Sequence, residues 1–144
     1  MTEFYQTELR LRSFPAGYHL ITYEIETAVP EISTIQTGFL QVFIKHTSAA
    51  LTINENADPT VRQDFRTFVD ELIPEDYPRF IHTYEGPDDM PAHIKASFFD
   101  SQLQIPISNG RLNLGTWQGI YLCEFRTHAS PRQLVLTAFG QVKS

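Results

Sequence analysis

Gln102–Phe125, QLQIPISNGRLNLGTWQGIYLCEF, decides how the chain is read. Gln102–Ile107 and Arg111–Leu114 are β-prone runs separated by Ser108-Asn109-Gly110. Asn109-Gly110 predicts a tight hairpin, because both residues tolerate the positive φ that a two-residue hairpin loop demands. Gly115 and Gly119 bracket TWQ in a second tight passage, and Ile120–Phe125 and Leu134–Phe139 read as two further strands. The last third of the chain is therefore β.

Upstream the pattern changes. Phe4–Leu11 alternates imperfectly, with Leu9 and Leu11 on its apolar face, and predicts a strand. From Tyr18 to about Ile32 the apolar residues Leu20, Ile21, Ile25 and Val29 recur at three to four residues, which predicts a helix ending at Pro30–Ser33. Gly38 to His46 reads as a strand buried on both faces, with His46 at its downstream end, and Ala50–Ile53 as a second short strand. Asp58 and Pro59 then suit the N-cap and first position of a helix carrying Val61, Phe65, Phe68, Val69 and Leu72, stopped near Ile73 by Pro74. Residues 74–92 are rich in turn formers and predict a long functional loop, followed by a short helix over Ala92–Phe99. This order predicts an α+β fold, with two to three helices packed on a mainly antiparallel sheet.

The 144 residues suit a single domain spanning 1–144, with no repeat or linker to divide it. Apolar residues make up 42% and charged residues 19%, and no run is long enough to span a membrane. The N-terminus lacks the basic start and apolar core of an export signal, so a cytoplasmic protein is expected. A net charge of −6 argues against nucleic-acid partners, although Lys95, Arg111, Arg126 and Arg132 can form a local patch suited to a small anion. Cys123 is the only cysteine, which excludes an internal disulfide and a cysteine zinc cage; on its strand it reads as a buried, inert thiol. Any metal must be held by His, Asp or Glu.

Five histidines are available. His19, at the start of the predicted helix, reads as structural, and His128, in THASP, lies in a surface turn. His46, His82 and His93 fall at a strand end, in a loop and at a helix start, where a scaffold presents side chains to ligands. Three neutral imidazoles would hold a zinc-like divalent ion with a position open for water or substrate. Their spacing forms no short metal motif, and separately hydrogen-bonded histidines are the other reading. Around them Thr47 and Ser48 can donate to an anion or satisfy a turn, and Glu55 can transfer a proton or orient a ligand. Lys95 can neutralise a phosphate or lie solvated on its helix. Trp117 with Gln118 can line a pocket or pack in the core.

HTSAALTINENADP (46–59), HTYEGPDDMPAHIKAS (82–97) and NGRLNLGTWQGIYLCEF (109–125) resemble the three hallmark segments of the YjbQ-like, or secondary thiamine-phosphate synthase, family. The resemblance runs over essentially the whole chain. It implies a small α+β protein forming a homotrimer, with sheets around the threefold axis and sites near subunit boundaries. It also implies a thiamine-phosphate synthase activity, joining a pyrimidine pyrophosphate to a thiazole phosphate, and places the family's site histidines on His46, His82 and His93. The stretch Arg126–Arg132 is where variation among relatives is expected.

The leading expectation is a transferase acting on phosphorylated small molecules. His46, Glu55 and His93 would be catalytic, Ser48 and Lys95 would hold phosphate, and Trp117 with Gln118 would contact a heteroaromatic ring. A non-catalytic trimer that binds a metabolite or metal is the competing reading, since no nucleophile–base spacing or P-loop is present. A structural trimer whose histidines pin interface loops is a third.

Overall fold

A computed structural model describes all 144 residues. Its fold is α+β, with eight strands, three α-helices and a short 3₁₀ turn. The strands are β1 Thr2–Arg10, β2 Gly17–Leu20, β3 Ile35–Ile44, β4 Ala49–Glu55, β5 Gln102–Ser108, β6 Arg111–Leu112, β7 Gln118–Glu124 and β8 Gln133–Val142. The helices are α1 Thr22–Ala28, α2 Pro59–Leu72 and α3 Asp89–Phe98.

The strands divide into two antiparallel sheets, one in the order β1-β8-β3-β5-β6 and one in the order β2-β7-β4. Alternation sends Leu40, Val42 and Ile44 of β3, Ile105 and Ile107 of β5, and Leu134, Leu136 and Ala138 of β8 into one core. That core is closed from the other side by Leu51, Ile120 and Leu122 of the smaller sheet. The opposite face of the smaller sheet offers Tyr18, Ala50, Tyr121 and Cys123, covered by Ala92 of α3 and Phe65 of α2. β7 is thus buried on both faces, which its apolar run Ile120–Cys123 reflects. Cys123 is fully buried, and burial pushes its thiol pKa up, away from reactivity.

Local signals act as expected in two places. Asn109 and Gly110 take φ of 53° and 78° between β5 and β6. The Asp58 side chain accepts from the Thr60 N–H at 2.9 Å and caps α2, whose first residue is Pro59.

Four expectations change. The helix over Tyr18–Ile32 is instead β2, a helix of seven residues, and the 3₁₀ turn Pro30–Thr34. Ile21, Ile25, Val29 and Ile32 do face the core, but Gly17–Leu20 pairs with Tyr121–Glu124, and ladder hydrogen bonds to β7 override the helical spacing. β3 is covered on one face only, since nothing in this chain packs over Phe39 (41% exposed) and Phe43 (43% exposed). On α2, Val61, Phe65 and Val69 turn toward the sheet while Phe68 and Leu72 are exposed. Finally, α3 begins at Asp89 rather than Ala92. Pro91 is accepted there because the first turn of a helix needs no intrahelical N–H donors. No helix is long and apolar enough to cross a membrane.

Candidate metal centre

Starting α3 three residues early has a chemical consequence. Asp89 and His93 become i and i+4 residues on one helix face. The loop before α3 brings His82 to the same point. His82 Nε2 lies 2.8 Å and His93 Nε2 3.3 Å from Asp89 Oδ2, and the three donor atoms lie within 4.8 Å of one another. Asp89 is 1% exposed, whereas the two imidazoles reach solvent. The result is a carboxylate buried beneath two accessible rings.

The proton positions follow from the partners. His93 Nδ1 is 3.0 Å from the Thr47 carbonyl oxygen, which can only accept, so Nδ1 carries the hydrogen. With Nδ1 protonated, Nε2 points at Asp89 Oδ2: the imidazolium donates to that oxygen, and the neutral ring presents a lone pair that a cation can share with the carboxylate. A cation held by the neutral rings and the carboxylate would sit between these donor atoms. A metal bound at about 2.0–2.2 Å sets neighbouring donors roughly 2.8–3.6 Å apart for geometries between octahedral and tetrahedral. The observed 2.8 and 3.3 Å separations fit. Two imidazoles and one carboxylate also match the nitrogen and oxygen preferences of zinc and similar ions, with further positions open.

His46 is outside the group of donor atoms within 4.8 Å of one another, although its neighbour Thr47 is hydrogen-bonded to His93. His46 Nε2 accepts the Gln133 N–H at 2.8 Å, tying the end of β3 to the start of β8. Burial, reinforced by the Arg132 guanidinium, holds its pKa below the usual histidine value. Ser48 is buried and accepts from Arg132 Nη2 through its hydroxyl at 3.0 Å and its carbonyl at 3.3 Å. Arg132 also donates from Nε and Nη2 to the two carboxylate oxygens of Glu124, at 2.8 and 2.6 Å. Lys95 is buried and donates to Asp70 Oδ1 at 2.6 Å, linking α3 to α2. These charged and polar groups hold structure behind the rings.

Glu55, Trp117 and Gln118 are elsewhere. In the β4–β7 ladder Ala49 pairs with Glu124 at the end nearest the histidines, and Glu55 pairs with Gln118 at the other. Six strand steps at about 3.3 Å put roughly 20 Å between the two ends. There Glu55 Oε2 accepts from the Asp58 N–H at 3.0 Å, Gln118 Oε1 accepts from the Gly115 N–H at 2.8 Å, and Trp117 is 65% exposed. One chain does not bring these residues to His82 and His93.

Of the eight residues His46, Ser48, Glu55, His82, His93, Lys95, Trp117 and Gln118, the structure brings the donor atoms of only His82 and His93 within 4.8 Å of one another, and adds Asp89. The available signal was the Asp-x-x-x-His spacing in DDMPAH, hidden by the assumption that Pro91 precedes the helix. His19 and His128 stay outside: His19 Nε2 donates to the Pro15 carbonyl at 2.6 Å, and His128 is exposed in the β7–β8 loop.

The likeness to known proteins spans this whole scaffold. Residues 7–141 match the family model described as UPF0047 protein YjbQ-like. UPF0047 protein YjbQ of Salmonella typhimurium is 46% identical over 138 residues, covering 96% of this chain and 99% of that protein. UPF0047 protein YugU of Bacillus subtilis is 43% identical over 105 residues, 73% of this chain and 76% of that one. A crystal structure of a YjbQ/UPF0047 family protein from Clostridium acetobutylicum superposes with a TM-score of 0.76 at 39% identity, covering 91% of this chain and 97% of that one. A YbjQ-like protein of unknown function from Sulfolobus solfataricus shares the fold, with a TM-score of 0.85 at 24% identity over 98% of this chain and all of that one. The chain thus belongs to the UPF0047 YjbQ-like family.

Proposed function

We propose that the chain is a metal-dependent enzyme acting on a phosphorylated small molecule, with His82, Asp89 and His93 as the residues that hold a zinc-like divalent ion. The observation that supports this reading is the convergence of His82 Nε2, Asp89 Oδ2 and His93 Nε2 within 4.8 Å of one another. Such an ion supplies Lewis acidity toward a phosphoryl oxygen. The Thr47 carbonyl keeps His93 in the tautomer that leaves Nε2 free, as hydrogen-bonded outer partners do for metal-binding histidines. Arg132, through Ser48, steadies the loop that carries Thr47.

The working unit is a homotrimer of single-domain protomers, assembled through the open face of the larger sheet. Support comes from Phe4, Phe39 and Phe139, whose rings meet across β1, β3 and β8 on that face, Phe4 stacked on Phe139 and Phe39 tilted against it, with Phe43 exposed on the same strand as Phe39. An apolar aromatic patch on a central strand is the kind of surface that association covers. Sedimentation should give three times the 16.5 kDa chain mass, and Phe39→Asp should dissociate the particle. A monomeric native protein would remove the trimer from the reading.

A metabolite- or metal-binding trimer without turnover is the second reading. It is favoured by the absence of an available nucleophile: Cys123 is buried, Ser48 is held by Arg132 and Lys95 by Asp70. Elemental analysis of purified protein, with a zinc titration of native chain and Asp89→Asn, tests the metal. One ion per chain that is lost in the variant supports the site, and no bound metal in the native chain refutes it. Thiamine-phosphate formation from a pyrimidine pyrophosphate and a thiazole phosphate is the first reaction to assay. Metal-dependent turnover selects the enzyme; metal and phosphate-ester binding without turnover of phosphorylated compounds selects the binding protein.

A further inference from the structure

Arg126 follows β7 at the start of a loop with no strand or helix of its own, yet it touches the metal centre from behind. Its Nε donates to Asp88 Oδ2 at 3.1 Å, its Nη2 to the Glu85 carbonyl at 3.0 Å, and its Nη1 to Asp89 Oδ1. The next residue adds a fourth tie, since the Thr127 N–H donates to Asp88 Oδ2 at 2.8 Å. One planar guanidinium thereby gathers the segment that leads from His82 into α3.

The two oxygens of Asp89 are consequently in different situations. Oδ1 is turned inward to Arg126, and Oδ2 is turned outward to His82 and His93. A carboxylate torsion is broad and nearly two-fold, so without a partner Asp89 can rotate and present both oxygens. The side chain of Asp89 is 2% exposed and that of Arg126 is 24% exposed, which keeps water from competing strongly for Oδ1. A charge-assisted bond in such a place is short and directional.

We propose that Arg126 is a positioning residue that makes Asp89 a one-oxygen ligand and sets the strength and coordination of the metal site. The inference rests on the metal reading above and adds to it the group that selects the ligand geometry. Outer partners of metal-binding groups characteristically change metal affinity about 10–100-fold when removed. Arg126→Gln should weaken metal binding by a factor in that range.

The test is zinc affinity by competition with a chromophoric chelator, together with the visible absorption of the cobalt(II)-loaded protein. It uses native chain, Arg126→Gln, Arg126→Lys and Asp88→Asn. Arg126→Gln should bind zinc about 10–100-fold more weakly and show weaker cobalt bands, as the second Asp89 oxygen raises the coordination number. Arg126→Lys keeps the charge but reaches one acceptor, so its affinity should fall between the two. Asp88→Asn weakens the loop ties but leaves Nη1 on Asp89, and should bind zinc like the native chain. If Arg126→Gln does not fold, Arg126→Lys and Asp88→Asn still decide. Native affinity and an unchanged cobalt spectrum in both Arg126 variants would overturn the inference while leaving the metal site standing. An equal loss in Asp88→Asn would also overturn it, since Arg126 would then act by bracing the loop. A native chain that binds neither ion refutes the metal reading itself.

Discussion

Replacing Arg132 by methionine leaves a buried carboxylate without its cation. Glu124 is 1% exposed, and Arg132 supplies two of its hydrogen bonds, at 2.8 and 2.6 Å; the one that remains is the Arg126 N–H at 3.2 Å. The same change strips Ser48 of its donor. Removing one partner of a buried ion pair costs about 3–5 kcal/mol, because the other charge stays desolvated and uncompensated. At about 2–4 °C per kcal/mol for a chain near this length, Arg132→Met should melt roughly 6–20 °C lower. Removing both charges is cheaper. Glu124→Met with Arg132→Met loses the Coulomb term and the desolvation cost together, and leaves chiefly the Arg126 N–H unpaired, a cost of about 1–3 kcal/mol. Urea unfolding at one fixed protein concentration, so that assembly contributes equally, measures all three proteins. The double variant should be more stable than Arg132→Met. A loss below about 1 kcal/mol in Arg132→Met, or a double variant weaker than the single, would refute the account of a desolvated pair.

Stability should also fall as the pH drops below about 6.5, the unperturbed histidine value. His46 and His19 both have lowered pKa values in the folded chain, chiefly from burial, so the unfolded chain binds more protons and acid favours it. His46→Gln, which can still accept the Gln133 N–H, should reduce the drop in urea midpoint between pH 7.5 and 5.5; an identical drop would exclude His46 as its source. Gly38 opposes Gly140 in the β3–β8 ladder, and a β-carbon on it would overlap the Phe139 carbonyl oxygen. Gly38→Ala should therefore cost about 2–3 kcal/mol in unfolding experiments, and a neutral result would contradict the close backbone approach. Trp117→Ala should leave zinc affinity unchanged in a chelator competition, since Trp117 lies next to the Glu55–Gln118 end of the β4–β7 ladder, about 20 Å along the strands from the Ala49–Glu124 end; weakened binding would join the two ends functionally.

Much of the architecture was legible in the residues themselves because its signals are local. Positive φ at Asn109 and Gly110 needs residues that tolerate it, Asp58 and Pro59 satisfy a helix start by their own chemistry, and Ile120–Phe125 reads as a strand from its own β-prone residues. The resemblance carried in three segments, ending in GTWQ, likewise needed no coordinates. Tertiary contacts decided what local signals leave open. Ile21, Ile25 and Val29 obey helical spacing whether Gly17–Leu20 is helix or strand, and only hydrogen bonding to β7 selects the strand. The candidate site has the same origin. His82 and His93 were visible as residues suited to a ligand, but their distance from His46 depends on which backbone groups each ring meets: Gln133 for His46 and Thr47 for His93. Asp89 became a partner only once α3 began ahead of Pro91, and Arg126 only once β7 delivered it against the start of that helix. Side chains far apart in sequence converge through packing, and sequence spacing alone carries no record of that convergence.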